Sequence, residues 1–212
     1  MNASFVSLVL VSAVMNSIPS AAGEGEDSVR PYHSLISHTA SERGTAGVDN
    51  KIVSANGKTH VVWQDSTEQG YRNIARTLDR ATGKWSKPVT LGPGVDNHAR
   101  PCMTIDSKGY LHVVLSGHNT PLRYLRSESP NSTAEWVDEH TFGRGTYTSI
   151  ICSKGDVLVV SARPSGVARD GSGIDLYIRK PGDKGWTHKK HVLRTEPQYT
   201  GYVGYNTSIA WG

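Results

Sequence analysis

The chain has 212 residues, a length that allows one domain or at most two small ones. Hydrophobic residues make up 36% and charged residues 20%, which excludes a disordered chain and a membrane-spanning one. The net charge of +4 is too small, and its lysines and arginines too scattered, for a nucleic-acid-binding protein, whereas it suits an anionic ligand.

The first 22 residues carry no charged side chain. Residues 5–15 form an apolar stretch about as long as the core of a signal peptide, and too short for a membrane helix of about 20 residues. Small residues follow at 20–22, the type of sequence that signal peptidase cleaves. The positively charged N-terminal region of a typical signal peptide is missing, so a buried N-terminal strand is the alternative interpretation of this segment. We therefore expect a signal peptide over 1–22, a polar segment over 23–47, and a secreted or periplasmic protein.

The rest of the chain repeats with a period of about fifty residues. Each unit holds a turn glycine that precedes a β-branched strand, and a tryptophan that follows a second turn. These marker residues are Gly57 and Trp85, Gly109 and Trp136, and Gly155 and Trp186. No helical periodicity competes with this pattern, and a β-sandwich would not place tryptophan at a fixed spacing.

The repeat predicts short strands throughout the chain. In chain order they are 51–55, 58–63, 71–78, 87–91, 102–106, 110–115, 122–127, 148–153, 156–161 and 175–179, with the turn glycine directly before the second strand of each unit. Four strands per unit are typical of β-propeller blades, so we predict an all-β propeller over residues 48–212. Its blades are predicted at about 48–96, 97–145 and 146–197, with the start of a fourth at 198–212. Because propellers close with about four to eight blades, we expect the chain to be part of a longer one.

Residues at equivalent positions of successive units are expected to serve packing. His60 and His112 form one such set, and Trp85, Trp136 and Trp186 form another. Such equivalence is typical of the interior of a blade.

The two cysteines, Cys102 and Cys152, each lie in the first strand of a unit. In an oxidising compartment they can pair, and otherwise they are two buried thiols. The sequence leaves this choice open, but their spacing is not that of a zinc site.

Polar side chains mark the strand ends of the second and third units. His98 precedes the first strand of unit two, and His118 follows its second strand. A hairpin brings such ends to the same rim of a sheet. Tyr147 and Arg163 repeat the placement in unit three, so we expect all four side chains to converge at one face. The alternative is an ordinary set of polar loop ends.

The run from His98 to Asn119, HARPCMTIDSKGYLHVVLSGHN, resembles the seven-bladed propeller polysaccharide lyases that cleave ulvan, within the BNR-repeat-containing proteins. The resemblance covers most of residues 48–212. It implies a secreted lyase that acts on an anionic polysaccharide as a monomer when full length.

The resemblance also implies a site. It assigns the catalytic set to His98, His118, Tyr147 and Arg163, and we add Arg100 and Asn119 as candidate substrate-binding residues.

The chemistry of such a lyase fits these residue types. The enzyme removes the C5 proton next to a uronate carboxylate and expels the oxygen on C4. Arg163 suits the neutralisation of the carboxylate, and His118 can assist as a donor. His98 and Tyr147 are the candidate base and acid, in an order that the sequence leaves open. No cofactor is required, and a structural metal ion elsewhere stays open.

Two other functions compete with a lyase. A sialidase-like glycoside hydrolase is one, because residues 104–109 resemble a degenerate Asp-box, but no carboxylate pair flanks the histidine rim. A non-catalytic glycan-binding propeller is the other, although binding alone does not need a His/His/Tyr/Arg set. The identity of the uronate polysaccharide stays open.

Overall fold

The computed structural model describes residues 34–41, 50–98, 100–118, 120–164, 173–194 and 209. All regular elements in these ranges are β-strands. They are β1 (Ile52–Ala55), β2 (Lys58–Thr67), β3 (Gly70–Asp79), β4 (Lys84–Trp85), β5 (Val89–Gly94), β6 (Pro101–Ile105), β7 (Leu111–Leu115), β8 (Thr120–Ser127), β9 (Trp136–Ser153), β10 (Val157–Pro164), β11 (Gly173–Arg179) and β12 (Thr187–Arg194). The all-β prediction is confirmed. The predicted signal peptide, most of the polar segment, and all of residues 198–212 except residue 209 lie outside the described residues.

The first sheet contains β1 to β5, and its strands pair antiparallel. The β1–β2 connection is the two-residue turn Asn56-Gly57, in which both residues have positive φ (47° and 74°). Asn-Gly is the preferred sequence for such a turn, because both residues tolerate the left-handed region. The second strand begins directly after the predicted turn glycine, at Lys58. At the other side of the sheet, β4 and β5 both pair with β3.

The second sheet runs from β6 to β12 in sequence order, with antiparallel neighbours. Its longest strand, β9, has 18 residues. The first part of β9 pairs with β8 and the last part with β10, and Gly145 lies opposite both Thr120 and Pro164. The sequence predicted only residues 148–153 of this strand. The division of the chain into blades at 96/97 and 145/146 stays a prediction.

The hairpin of β6 and β7 is buried on both faces. Cys102 pairs with Val114, and both pack into one apolar cluster; the neighbouring pair, Met103 and Val113, packs into a second cluster. All four side chains are fully buried. Since successive side chains of a strand point to opposite faces, this hairpin lies between two apolar layers. The ends of the hairpin, which carry the candidate site, are thereby held rigidly.

The two cysteines are free thiols in the structure. The Cys102 thiol lies 3.4 Å from the Thr148 hydroxyl, inside the first cluster. Burial, together with the nearby Asp156 and Asp106 carboxylates, raises the pKa of Cys152 to about 11. The structure therefore supports the alternative of two thiols over a disulfide.

The equivalent histidines are buried, and the equivalent tryptophans are half-buried and pack against neighbouring side chains. Trp136 and Trp186 pack against the two apolar clusters, and Trp85 lies under the Arg76 guanidinium. His60 is fully buried, and its Nδ1 atom lies 2.9 Å from the Thr77 hydroxyl.

Acid is expected to destabilise the protein through His60. Burial, helped by Lys58, lowers the pKa of His60 from 6.5 to about 4, so the unfolded chain binds this proton more tightly. The free energy of unfolding should fall, as pH drops from 6.5 to 4, by on the order of 2–3 kcal/mol from this residue. Urea unfolding of the wild type and His60→Gln at several pH values measures it. The variant should lose this part of the pH dependence, and equal slopes for the two proteins would contradict the prediction.

Candidate active site

His98 and His118 lie together at one end of the β6–β7 hairpin. The pairing of Pro101 with Leu115 closes this end and places both flanking loops on the same side. The two imidazole rings are 4.7 Å apart between centroids and are tilted by 37°. The His98 side chain is 19% exposed and that of His118 is 40% exposed, so solvent reaches both.

Asp96 links the two histidines, although the sequence did not single it out. Its Oδ1 atom accepts a 2.7 Å hydrogen bond from the His98 amide and lies 3.3 Å from His98 Nδ1. Its Oδ2 atom lies 3.0 Å from His118 Nδ1. A hydrogen bond from an amide to the side chain of an aspartate two residues earlier defines an Asx turn. Local sequence can indicate such a turn at Asp96, but it does not indicate the contact between Asp96 and His118.

The charge of Asp96 determines which nitrogen of His118 carries the proton. Partial burial pushes the pKa of Asp96 upward, but the His98 amide, the His118 hydrogen bond and the charges of both rings outweigh it and hold the pKa below its ordinary value. The ionised carboxylate accepts a proton from Nδ1, so neutral His118 has its lone pair on Nε2. That nitrogen can accept a proton, and in the charged ring it can donate one.

Tyr147 lies at an irregularity in the β9–β10 ladder. Ser161 pairs with Ser149, but Arg163 pairs with Thr146, so the register shifts beside Tyr147. Tyr147 has a φ of 55°, in the left-handed region. The other described non-glycine residues with positive φ are Asn56, Asn131 and Asp156.

This backbone conformation is unusual for a tyrosine. Asparagine and aspartate tolerate the left-handed region, whereas a bulky residue there costs on the order of 1–3 kcal/mol. Such strain is kept only where the surrounding structure imposes it, and it is concentrated at functional sites. The bulge thus aims the Tyr147 side chain at a place that a regular strand would not reach.

The Tyr147 ring is 2% exposed and is held between two neighbours. Its edge meets the His98 ring, with centroids 6.0 Å apart and planes at 69°. The Arg100 guanidinium lies over its face, with Cζ 4.9 Å from the centroid. Three of the predicted catalytic residues, the two histidines and Tyr147, therefore form one contiguous cluster.

Arg100 and Arg163 have different relations to this cluster. Arg100 is 5% exposed and packs on Tyr147, so its visible role is to hold that ring, and its predicted contact with substrate stays a prediction. Arg163 lies opposite Thr146, next to Tyr147 along the ladder. A Cβ atom at Gly145 would come within 2.8 Å of the Arg163 carbonyl oxygen, so glycine allows this close pairing. Asn119 lies outside the described residues.

A second polar cluster lies at the opposite end of the same hairpin. His112 Nδ1 is 2.5 Å from the Tyr124 hydroxyl, and His112 Nε2 is 3.2 Å from Asp106 Oδ2. The Arg179 guanidinium lies over the Tyr124 ring, and the group borders a cavity of about 170 Å³. From the sequence, His112 was predicted to be a packing residue of a strand, and its contacts with Tyr124 and Asp106 were not predicted.

Removal of the Tyr124 hydroxyl should destabilise the fold. With Nε2–H bonded to Asp106, His112 Nδ1 accepts the Tyr124 proton, and Tyr124→Phe removes that buried donor. We expect a loss of about 1–3 kcal/mol in the free energy of unfolding. Urea unfolding measures it, with Tyr110→Phe as the control at a more exposed ring. A loss in Tyr124→Phe no larger than in the control would contradict the expectation.

Comparison with known proteins adds to this geometry. Residues 53–208 match the sequence model of the BNR repeat-containing family. The chain belongs to this family. Within it, the site residues described above all lie inside the matched range.

The BNR-repeat chain is similar to characterised lyases. It is 26% identical over 177 residues to an ulvan lyase of Alteromonas sp. (strain LOR), an alignment that covers 68% of this chain and 35% of the relative. It is 28% identical over 134 residues to Ulvan Lyase-PL25 of Pseudoalteromonas sp. (strain PLSV), covering 50% of this chain and 27% of the relative. The chain thus spans about a third of the length of these relatives.

One solved structure shares the fold of the BNR-repeat chain. The polysaccharide lyase Uly1 superposes with a TM-score of 0.54 at 11% identity, over 79% of this chain and 45% of that one. At this identity the likeness concerns the fold alone, and it supports a propeller-like arrangement of antiparallel sheets. In the part of the chain that the structure describes, no helix has the length and apolar character needed to cross a membrane.

Proposed function

We propose that this protein is a secreted polysaccharide lyase that cleaves a uronate-containing, ulvan-like polysaccharide by β-elimination. The relatives named ulvan lyases support the reaction class. The single observation that carries the site is Tyr147, which is held at a φ of 55° against His98. A purely structural tyrosine gains nothing from that strain.

The active protein is proposed to contain a longer propeller than this chain. The strands within about 48–96, 97–145 and 146–197 would form its blades, and residues 198–212 would begin the next. The alignment covers only 35% of the Alteromonas relative, which supports further blades, seven in total by the family resemblance. A secreted full-length protein should act as a monomer, and N-terminal sequencing of the mature form should begin near Gly23.

The proposed reaction breaks the C5–H and C4–O bonds of the polymer and forms one C4=C5 double bond. A base takes the proton on C5, the electron pair of that bond forms the C4=C5 double bond, and the C4–O bond breaks. An acid protonates the departing oxygen, so atoms and charge balance. The carboxylate on C5 gathers negative charge as the proton leaves, which requires a cation or donors beside it.

The geometry supports a division of these roles. His118 is the most exposed member of the cluster, and its Nδ1 atom faces Asp96, so in the charged ring its Nε2–H is free to point at the substrate carboxylate and donate to it. By the family resemblance, Arg163 is proposed to add a permanent charge for the same group. His98 and Tyr147, in edge contact, share the base and acid roles, and the greater exposure of His98 favours it as the group that meets the substrate first.

The test is the ultraviolet absorbance of ulvan during incubation with the full-length protein. Elimination creates a 4,5-unsaturated uronate whose conjugated double bond absorbs where the polymer does not. A rise supports the lyase. New reducing ends without a rise in absorbance would mean hydrolysis, as in a sialidase-like enzyme. If ulvan and other uronate polymers give neither a rise in absorbance nor new reducing ends, the protein is better explained as a glycan-binding propeller. The proposed chemistry routes no step through a cofactor.

A further inference from the structure

We infer that Asp96, His98 and His118 form a binding site for a transition-metal dication of the Zn²⁺ type, and that metal bound there inhibits the enzyme. The three residues each offer one ligand atom, and these atoms all lie within 4.8 Å of one another. Among the described residues, this is the one group of three or more such side chains. The inhibition rests on the proposed function, whereas the binding does not.

The spacing of the ligand atoms already approaches that of a metal site. A tetrahedral zinc ion with bonds of about 2.0–2.1 Å holds its ligand atoms roughly 3.3 Å apart. The Asp96 Oδ1–His98 Nδ1 distance is 3.3 Å, and the Asp96 Oδ2–His118 Nδ1 distance is 3.0 Å. The two distances involve different oxygens of Asp96, but one ligand atom from each residue lies within 4.8 Å of the other two, so side-chain rotation would bring the three onto one ion and water would complete the coordination.

The donor types select the class of ion. Two imidazoles with one carboxylate suit Zn²⁺, Ni²⁺ and Cu²⁺, whereas Mg²⁺ and Ca²⁺ prefer oxygen ligands alone. The site is open to such an ion, because the side chains of Asp96 and His118 are 33% and 40% exposed. The thiol of Cys152, with its pKa raised to about 11 by burial, remains protonated at neutral pH and is a poor competitor.

A bound ion is expected to stop the proposed chemistry. It would replace the proton that His118 Nδ1 shares with Asp96, and it would place a fixed positive charge and its waters between the two imidazoles. His98 would then be a metal ligand and would no longer carry a proton to or from the substrate. The same two histidines cannot serve both tasks at once.

Binding is tested by titrating ZnCl₂ into chelator-treated full-length protein in a calorimeter, with millimolar Mg²⁺ present. We expect a site that loses at least tenfold in affinity in His118→Gln and in Asp96→Asn. His188→Gln is the matched control, because its Nε2 atom lies 2.6 Å from Asp175 Oδ2 in a pair that lacks a second histidine. Equal binding by wild type, His118→Gln and Asp96→Asn would overturn the site.

Inhibition is tested on the same preparations with the absorbance assay. Zn²⁺ should suppress the wild-type rate with a midpoint that matches its calorimetric affinity, and excess chelator should restore the rate. Full activity with the site saturated, or activation by Zn²⁺, would overturn the inhibition. If the metal-free protein has no lyase activity, the proposed function fails, and the calorimetry still decides whether the metal site exists.

Discussion

Replacement of Tyr147 by phenylalanine is expected to lower the rate of elimination by about 10²- to 10⁴-fold, the range typical of a lost general acid or base. The change removes one hydroxyl and keeps the ring. The edge contact with His98 and the stacking under Arg100 both involve the ring, so they should persist. The loss should therefore appear in kcat.

A matched substitution separates chemistry from packing. Tyr177 is 3% exposed, close to the 2% of Tyr147, but it packs in the first apolar cluster, with Cys102 and Val114. Tyr177→Phe should leave kcat within a few-fold of wild type. If Tyr147→Phe does the same, Tyr147 is a structural residue and the strain at its backbone needs another explanation.

The strands were predictable where local sequence and long-range pairing agree. The turn Asn56-Gly57 and the β-branched runs after Gly57 and Gly109 specify hairpins on their own. The first part of β9 was missed, because residues 137–145 are mostly polar or glycine and have low strand propensity. Pairing with β8 along the whole of its length makes this segment a strand, and a single sequence does not show that pairing.

The candidate site was predictable only in part, for a similar reason. The meeting of His98 and His118 follows from hairpin geometry, which sequence spacing encodes. The link through Asp96 depends on how a loop folds back, and the stacking of Arg100 on Tyr147 depends on a register shift. Tyrosine gives no sequence signal for a positive φ, so the bulge beside Tyr147 was invisible before the structure.

Replacement of His98 by alanine is expected to lower the elimination rate at least 10²-fold, because the imidazole ring that is the proposed base or acid is lost. The loop should keep its shape, because the hydrogen bond to Asp96 comes from the backbone amide of residue 98, which alanine retains. Circular dichroism and the unfolding midpoint of the variant should therefore stay close to wild type.

The decisive measurement on His98→Ala is rescue by added imidazole. The substitution opens a space beside His118 and Tyr147 that an imidazole molecule can fill. If His98 transfers the proton, imidazole should restore part of the rate to His98→Ala, with saturation, and should not speed the wild type or His188→Ala. A loss of activity without rescue, together with a lower unfolding midpoint, would mean that the His98 ring supports the packing of Tyr147. An unchanged rate would remove His98 from the site, and the elimination would then have to rely on His118 and Tyr147.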